Sequence, residues 1–204
     1  MKKYLALAAI ALVSVGGLFA QSGKLAVGGD PIMLLAFDLR AHAEYAITDN
    51  ISIKADLEYS PNYFWVSNIQ VLGLLVHGRY YLGDMFADSL PEGAREYFQG
   101  PALKGLFVGA GAGFFSLRYD YSSIGVDWIG TYFAPTILFE VGTKIALDRF
   151  KLANWYVEPA FGANIFLGGE WTWEDSDGNE YDSVSFSDPS YGGFYYSFCV
   201  GYLF

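Results

Sequence analysis

From Phe194 to Phe204 every second residue is large and apolar: Phe194, Tyr196, Phe198, Val200, Tyr202 and Phe204. A period of two belongs to an extended strand, whose successive side chains point to opposite faces. The residues between them (Tyr195, Ser197, Cys199, Gly201 and Leu203) are smaller or more polar on average. One face of this strand suits hydrocarbon and the other suits an enclosed interior. Two fold classes accept such a strand, a membrane-spanning β-barrel and a secreted β-sandwich. The sandwich would hide its aromatics in one core and has no need of a terminal Phe.

Composition favours the barrel. Hydrophobic residues make up 53% of the chain and aromatics 19%, with 24 glycines, yet beyond residue 20 no run of eighteen apolar residues occurs. Apolar residues this abundant but never contiguous fit lipid-facing strands read alternately, not a membrane helix. The start of the chain reads as an export signal: Met1-Lys2-Lys3 is positive, residues 4–13 are apolar, and small residues lead to Ala20. This divides the chain into a signal peptide, 1–20, and a transmembrane β-barrel, 21–204. Loss of Lys2 and Lys3 leaves 10 basic residues against 22 acidic ones, a net charge of −12 that disfavours nucleic acid as a partner. The lone Cys199 has no disulfide partner within the chain.

At roughly 20 residues per strand and connection, the remaining chain holds about eight strands. The expected fold is an all-β, closed antiparallel barrel. Reading back from the C-terminus, strands are expected near 192–204, 154–168, 132–147, 104–119, 69–82, 51–60 and 32–45. An eighth is needed to close the barrel, because an open edge in lipid leaves backbone groups unsatisfied. Residues 24–28 are the candidate, with Gly29-Asp30-Pro31 as the turn after it. On the strand near 104–119 the Gly109–Gly113 run leaves the inward face undecided. Ser89-Leu90-Pro91-Glu92 reads as a capped helix start, so a short periplasmic helical turn is expected near 89–98, as a cap or a docking point.

The inward positions carry charge of both signs. One strand offers Asp38, Arg40, His42 and Glu44, and the next Lys54, Asp56 and Glu58. A turn at Thr48-Asp49-Asn50 pairs Arg40 with Asp56 and His42 with Lys54, which sets Asp38 beside Glu58. Arg79, Arg118, Glu140, Lys144 and Glu158 are candidates to join from other strands. Mixed signs in an interior that side chains can fill favour a salt-bridged plug. A narrow conduit is the alternative, supported by the small residues of the Gly109–Gly113 run. No Gly-x-Ser-x-Gly, metal-ligand spacing or phosphate loop occurs, and His42 and His77 lack catalytic partners, so neither an enzyme nor a cofactor or metal site is expected.

Residues 168–192 hold seven carboxylates and no Lys or Arg. Glu170, Trp171, Trp173, Glu174 and Asp175 form one arm, and Glu180, Asp182, Val184 and Phe186 the other, around Asp177-Gly178. This predicts a protruding acidic hairpin. Its tip is a solvated turn or a point where divalent cations bridge to glycolipid. Tyr63-Phe64-Trp65, Ile124 and Trp128 are expected near the same end as interfacial or contact residues.

The signal segment, the amphipathic strands, the short turn near 48–50 and the ending Tyr202-Leu203-Phe204 resemble small OmpA/OmpX/OmpW-type bacterial outer-membrane barrels. The alternation through Phe198, Val200, Tyr202 and Phe204 resembles the C-terminal signature that the insertion machinery of such proteins reads. The resemblance implies an outer-membrane location with both termini periplasmic, and outer-membrane lipid and that machinery as partners; the oligomeric state stays open, with a monomer favoured. It leaves two roles open: a structural and surface-interaction barrel, with extracellular ligands or divalent cations at the loops, or a narrow conduit for small or hydrophobic solutes.

Overall fold

The computed structural model describes residues 24–35, 37–61, 68–83, 85, 89, 91–98, 102–123, 126–175, 178–186 and 190–204. The segment 1–20, Tyr63-Phe64-Trp65, Ile124, Asp177 and Asp188 lie outside these residues. In chain order the strands are β1 (Leu25–Gly29), β2 (Leu39–Ala46), β3 (Ile51–Ser60), β4 (Ile69–Tyr81), β5 (Gly105–Ser123), β6 (Val126–Ala146), β7 (Trp155–Phe166), β8 (Gly169–Asp175), β9 (Glu180–Phe186) and β10 (Ser190–Leu203). Two short helices, α1 (Pro31–Leu35) and α2 (Glu92–Phe98), interrupt them.

Eight strands close an antiparallel barrel. β1 through β7 pair in sequence order, β7 pairs with β10, and β10 returns to β1. β8 and β9 form a hairpin that continues the wall upward, β8 pairing with residues 128–133 of β6. The short segment expected at 24–28 is therefore a true strand, displaced by one residue, and it supplies the closure.

The barrel is apolar outside and polar inside. On β4, Leu72, Leu74 and Val76 are exposed while His77, Arg79 and Tyr81 are buried. Phe139 and Val141 on β6 and Phe161 on β7 are likewise exposed, with Glu140, Lys144 and Glu158 buried on the alternate positions. This inverts the pattern of a soluble barrel. β5 resolves the undecided facing: Phe107 is fully buried and Val108 is 42% exposed, so odd positions point in. Arg118, an even position, consequently faces out and pairs with Asp120 at 2.9 Å, instead of joining the interior.

Three other expectations are corrected. The strand expected at 32–45 begins at Leu39, because Asp30 caps a helix whose first residue is Pro31. Its Oδ1 accepts from the backbone N–H of Ile32 (2.9 Å) and Met33 (3.0 Å), the ordinary arrangement for Asp before an N1 proline. The β2–β3 turn spans Ile47 to Asn50, with Ile47 and Thr48 N–H both donating to Ile51 O. That length sets Arg40 opposite Glu58, His42 opposite Asp56 and Glu44 opposite Lys54, two residues from the expected register. Finally, α2 begins at Glu92, with Ala94 and Arg95 donating to Pro91 O, so Ser89 is not its cap.

At the end where β1 begins and β10 stops, Tyr81, Leu103, Phe107, Tyr156 and Leu203 pack into an apolar floor. The backbone of Ala102 donates to Asp49 O, tying the connection before β5 to the β2–β3 turn.

Candidate functional site

Above that floor, side chains from five strands meet across the interior. Arg79 of β4 is the centre. Its Nε and Nη2 donate to Glu140 Oε1 (2.7 Å) and Oε2 (3.0 Å), and Nη1 reaches Glu44 Oε2 (2.9 Å) and Glu158 Oε1 (3.0 Å). Lys144 bonds to Glu44 and lies 3.0 Å from Glu158 Oε2, and Lys54 lies 2.9 Å from Asp56 and 3.3 Å from Glu158. Tyr81 and Ser52 hydroxyls donate to Glu44 Oε1. Arg79 also stacks on Phe107, 4.0 Å from the ring centroid, which joins the cluster to its floor.

Four carboxyl side chains (Glu44, Asp56, Glu140 and Glu158) thus face three basic ones (Lys54, Arg79 and Lys144). His77 lies between two of the carboxylates, with Nδ1 2.9 Å from Glu140 Oε1 and Nε2 2.9 Å from Asp56 Oδ2. Such charges persist in the barrel interior because each is paired more than once; an unpaired one would cost several kcal/mol.

Backbone geometry makes the space. Gly109, on the inward face of β5, has no side chain where a Cβ would lie 2.8 Å from Glu140 Oε1 and 3.1 Å from Arg79 Cγ. Gly109 thereby leaves room for the contact between Glu140 and Arg79. His42 bonds through Nε2 to the Tyr156 hydroxyl (2.6 Å). His42, Glu158 and Cys199 bring ligand-type atoms within 4.8 Å of one another, but three cations already share Glu158, which leaves it little charge for a metal ion.

Nearer the hairpin end, Arg40 contacts Glu58 (3.2 Å) and Asp38 (3.4 Å). Over this group opens a cavity of about 300 Å³, walled by Phe115, Leu117, Tyr132, Phe166 and Tyr195. The lumen residues expected from the sequence therefore fall into two groups. Glu44, Lys54, Asp56, Arg79, Glu140, Lys144 and Glu158 form the deep cluster with His42 beside them, while Arg40 and Glu58 line the cavity and Asp38 lies against Arg40. Tyr156 escaped the sequence reading, although it shares the inward parity of Glu158, and Tyr195 was placed on the inward face of the last strand without a role.

The hairpin residues separate by face. Gly168 adopts φ +90° and Leu167 N–H donates to Pro135 O, an irregularity that shifts the β6 register by one and reverses the alternation above it. Trp171 and Trp173 consequently turn toward the barrel mouth, 5.9 Å from the ring of Tyr132 and 6.4 Å from that of Tyr119. Glu170, Glu174, Glu180 and Asp182 are exposed. Asp175 accepts from Asn179 N (2.8 Å) and Nδ2 (2.9 Å), so its carboxylate serves turn closure. Phe198, Val200, Tyr202 and Phe204 lie on the outward face of β10, where Tyr202 meets Trp155 edge-on at 5.8 Å.

The fold and site define a closed eight-stranded antiparallel barrel with an apolar exterior, an ion-paired interior and an aromatic cavity at one end. No protein-family model matches the chain, and no curated protein matches it.

Proposed function

We propose that the protein is an integral β-barrel of a bacterial outer membrane, with a structural and surface-interaction role and an interior closed to solutes. Residues 1–20 act as its export signal, both termini face the periplasm, and β10 presents the pattern that the insertion machinery reads. An exterior apolar on alternate positions of β4, β6, β7 and β10 supports the membrane location, because in water it would expose far more large apolar side chains than a monomer tolerates. The observation that carries the closed interior is the cluster around Arg79, which spans the lumen from β2, β3, β4, β6 and β7 with fully buried side chains. With no path through the middle, function falls to the hairpin end, where exposed carboxylates of β8 and β9 offer the contact surface to extracellular ligands or, through divalent cations, to glycolipid.

Protease treatment of intact cells tests this reading. Cleavage is expected within 170–187 while the strands stay protected, and a chain lacking 170–187 should still insert but lose surface binding. Protection of the hairpin on intact cells, or undiminished binding after its deletion, would contradict the assignment.

A further inference from the structure

With one exception, the basic side chains outside the interior lie at one end of the barrel. Arg40, Lys54, Arg79 and Lys144 belong to the interior, and Arg118, beside the hairpin, is paired with Asp120. The other basic residues described, Lys24, Arg95, Lys104, Arg149 and Lys151, lie at the end where β1 begins and β10 stops, opposite the acidic hairpin. Three of them meet at the connection between β6 and β7. Asp148–Phe150 forms a single 3-10 turn that carries Arg149, and Lys151 follows it. Lys104 reaches the same turn from the base of β5, with Nζ 3.9 Å from Asp148 Oδ2.

This connection is closed by its own hydrogen bonds. Phe150 N donates to Leu147 O (2.9 Å), Lys151 N to Asp148 O (3.0 Å) and Trp155 N to Leu152 O (3.1 Å), while Asp148 Oδ1 accepts from Asn154 N (3.1 Å). Yet it leaves Phe150 64% and Leu152 48% exposed, two large apolar side chains between the bases and Trp155 on the outward face of β7. Lys151 holds φ +61° and ψ +23°, in the left-handed region. Glycine takes that conformation without the crowding of a Cβ, and the chain has a lysine there instead. Its ammonium group has no ion-pair partner among the described residues. Of the carboxyl groups described at this end, Asp148 is engaged by Asn154 and Lys104, Asp49 belongs to the turn across the barrel, and Glu92 to α2.

We propose that the β6–β7 connection binds the headgroup phosphate of an anionic phospholipid in the leaflet at this end. Lys104 and Lys151 hold the phosphate, and Phe150 and Leu152 enter the acyl boundary beside Trp155. Aromatic and apolar side chains next to bases suit the boundary between hydrocarbon and phosphate, and cations there favour anionic over zwitterionic lipid. Free phosphate would gain nothing from Phe150 and Leu152. The hairpin end has the opposite chemistry, since its one described base is taken by Asp120. This inference rests on the membrane reading above, because only a membrane presents such a lipid to the turn.

The test is calorimetric titration of the full chain, folded in a nonionic detergent, with short-chain phosphatidylglycerol, and with phosphatidylcholine of the same chain length as the zwitterionic match. The expected result is saturable binding of phosphatidylglycerol, with phosphatidylcholine about tenfold weaker. K151G should weaken phosphatidylglycerol binding about fivefold and leave the urea midpoint unchanged or higher, since glycine relieves the backbone as it removes the charge. K104Q combined with K151Q should erase the preference. Equal affinity for the two lipids would overturn the proposal, as would unchanged binding in K151G or displacement of the lipid by inorganic phosphate of equal affinity. Insertion into vesicles separates the two readings. A chain that prefers phosphatidylglycerol in detergent yet fails to insert would overturn the membrane reading, and one that inserts without any preference would overturn the site alone.

Discussion

Arg79 forks onto the carboxylate of Glu140, Nε to Oε1 at 2.7 Å and Nη2 to Oε2 at 3.0 Å, over the position where Gly109 lacks a side chain. A two-point contact between planar groups fixes orientation as well as distance. It joins β4 to β6 through the interior, across the intervening β5. A single methyl group on β5 therefore probes a contact between the strands on either side. Gly109→Ala should destabilise the barrel by about 1–3 kcal/mol, read as a lower urea midpoint in lipid vesicles. An unchanged midpoint would show that the cluster yields freely.

Removing the guanidinium should cost more. Arg79→Met leaves Glu44, Glu140 and Glu158 with Lys54, Lys144 and His77 alone, and loss of one partner from a buried pair typically costs about 3–5 kcal/mol. The same urea titration checks it, and a shift smaller than that of Gly109→Ala would contradict the central place given to Arg79.

Asp30 does two tasks, capping α1 and accepting from Phe198 N. Asp30→Ala strips three backbone donors of their acceptor at once. Its cost should exceed the roughly 0.5–2 kcal/mol of an ordinary cap, and the Phe198 amide should exchange with solvent markedly faster. Unchanged exchange at Phe198 would mean that another group takes over the bond.

Cys199 is 3% exposed on the inward face of β10, with its Sγ 2.9 Å from Ser197 Oγ. A thiol reagent should leave it unmodified in the folded barrel and label it after denaturation. Rapid labelling of the folded protein would contradict the burial of Sγ.

Much of the barrel was legible because an apolar exterior and a charged interior leave a strict period of two. The alternation of β4 and β10, and the split of Glu140, Lys144 and Glu158 from Phe139, Val141 and Phe161, follow from that period alone. Register was less legible. The sequence marks a turn at 48–50 but not its hydrogen bonds, and a loop reaching from Ile47 to Asn50 moved Arg40 from Asp56 to Glu58. β5 could not be faced from Gly109 to Gly113, since small residues carry no polarity signal. Arg118 was misplaced by that same gap. The end of β1 at Gly29 was hidden for a different reason: a strand that stops early is a tertiary fact, and only the Asp-Pro pair hinted at it.

Single-channel recording of the folded chain in a planar bilayer tests the closed interior most directly. The wild-type barrel should be silent, and a variant with Glu44, Arg79 and Glu140 all replaced by Ala should show discrete openings. Steady current through the wild-type protein would mean that the charges around Arg79 line a pathway rather than block one.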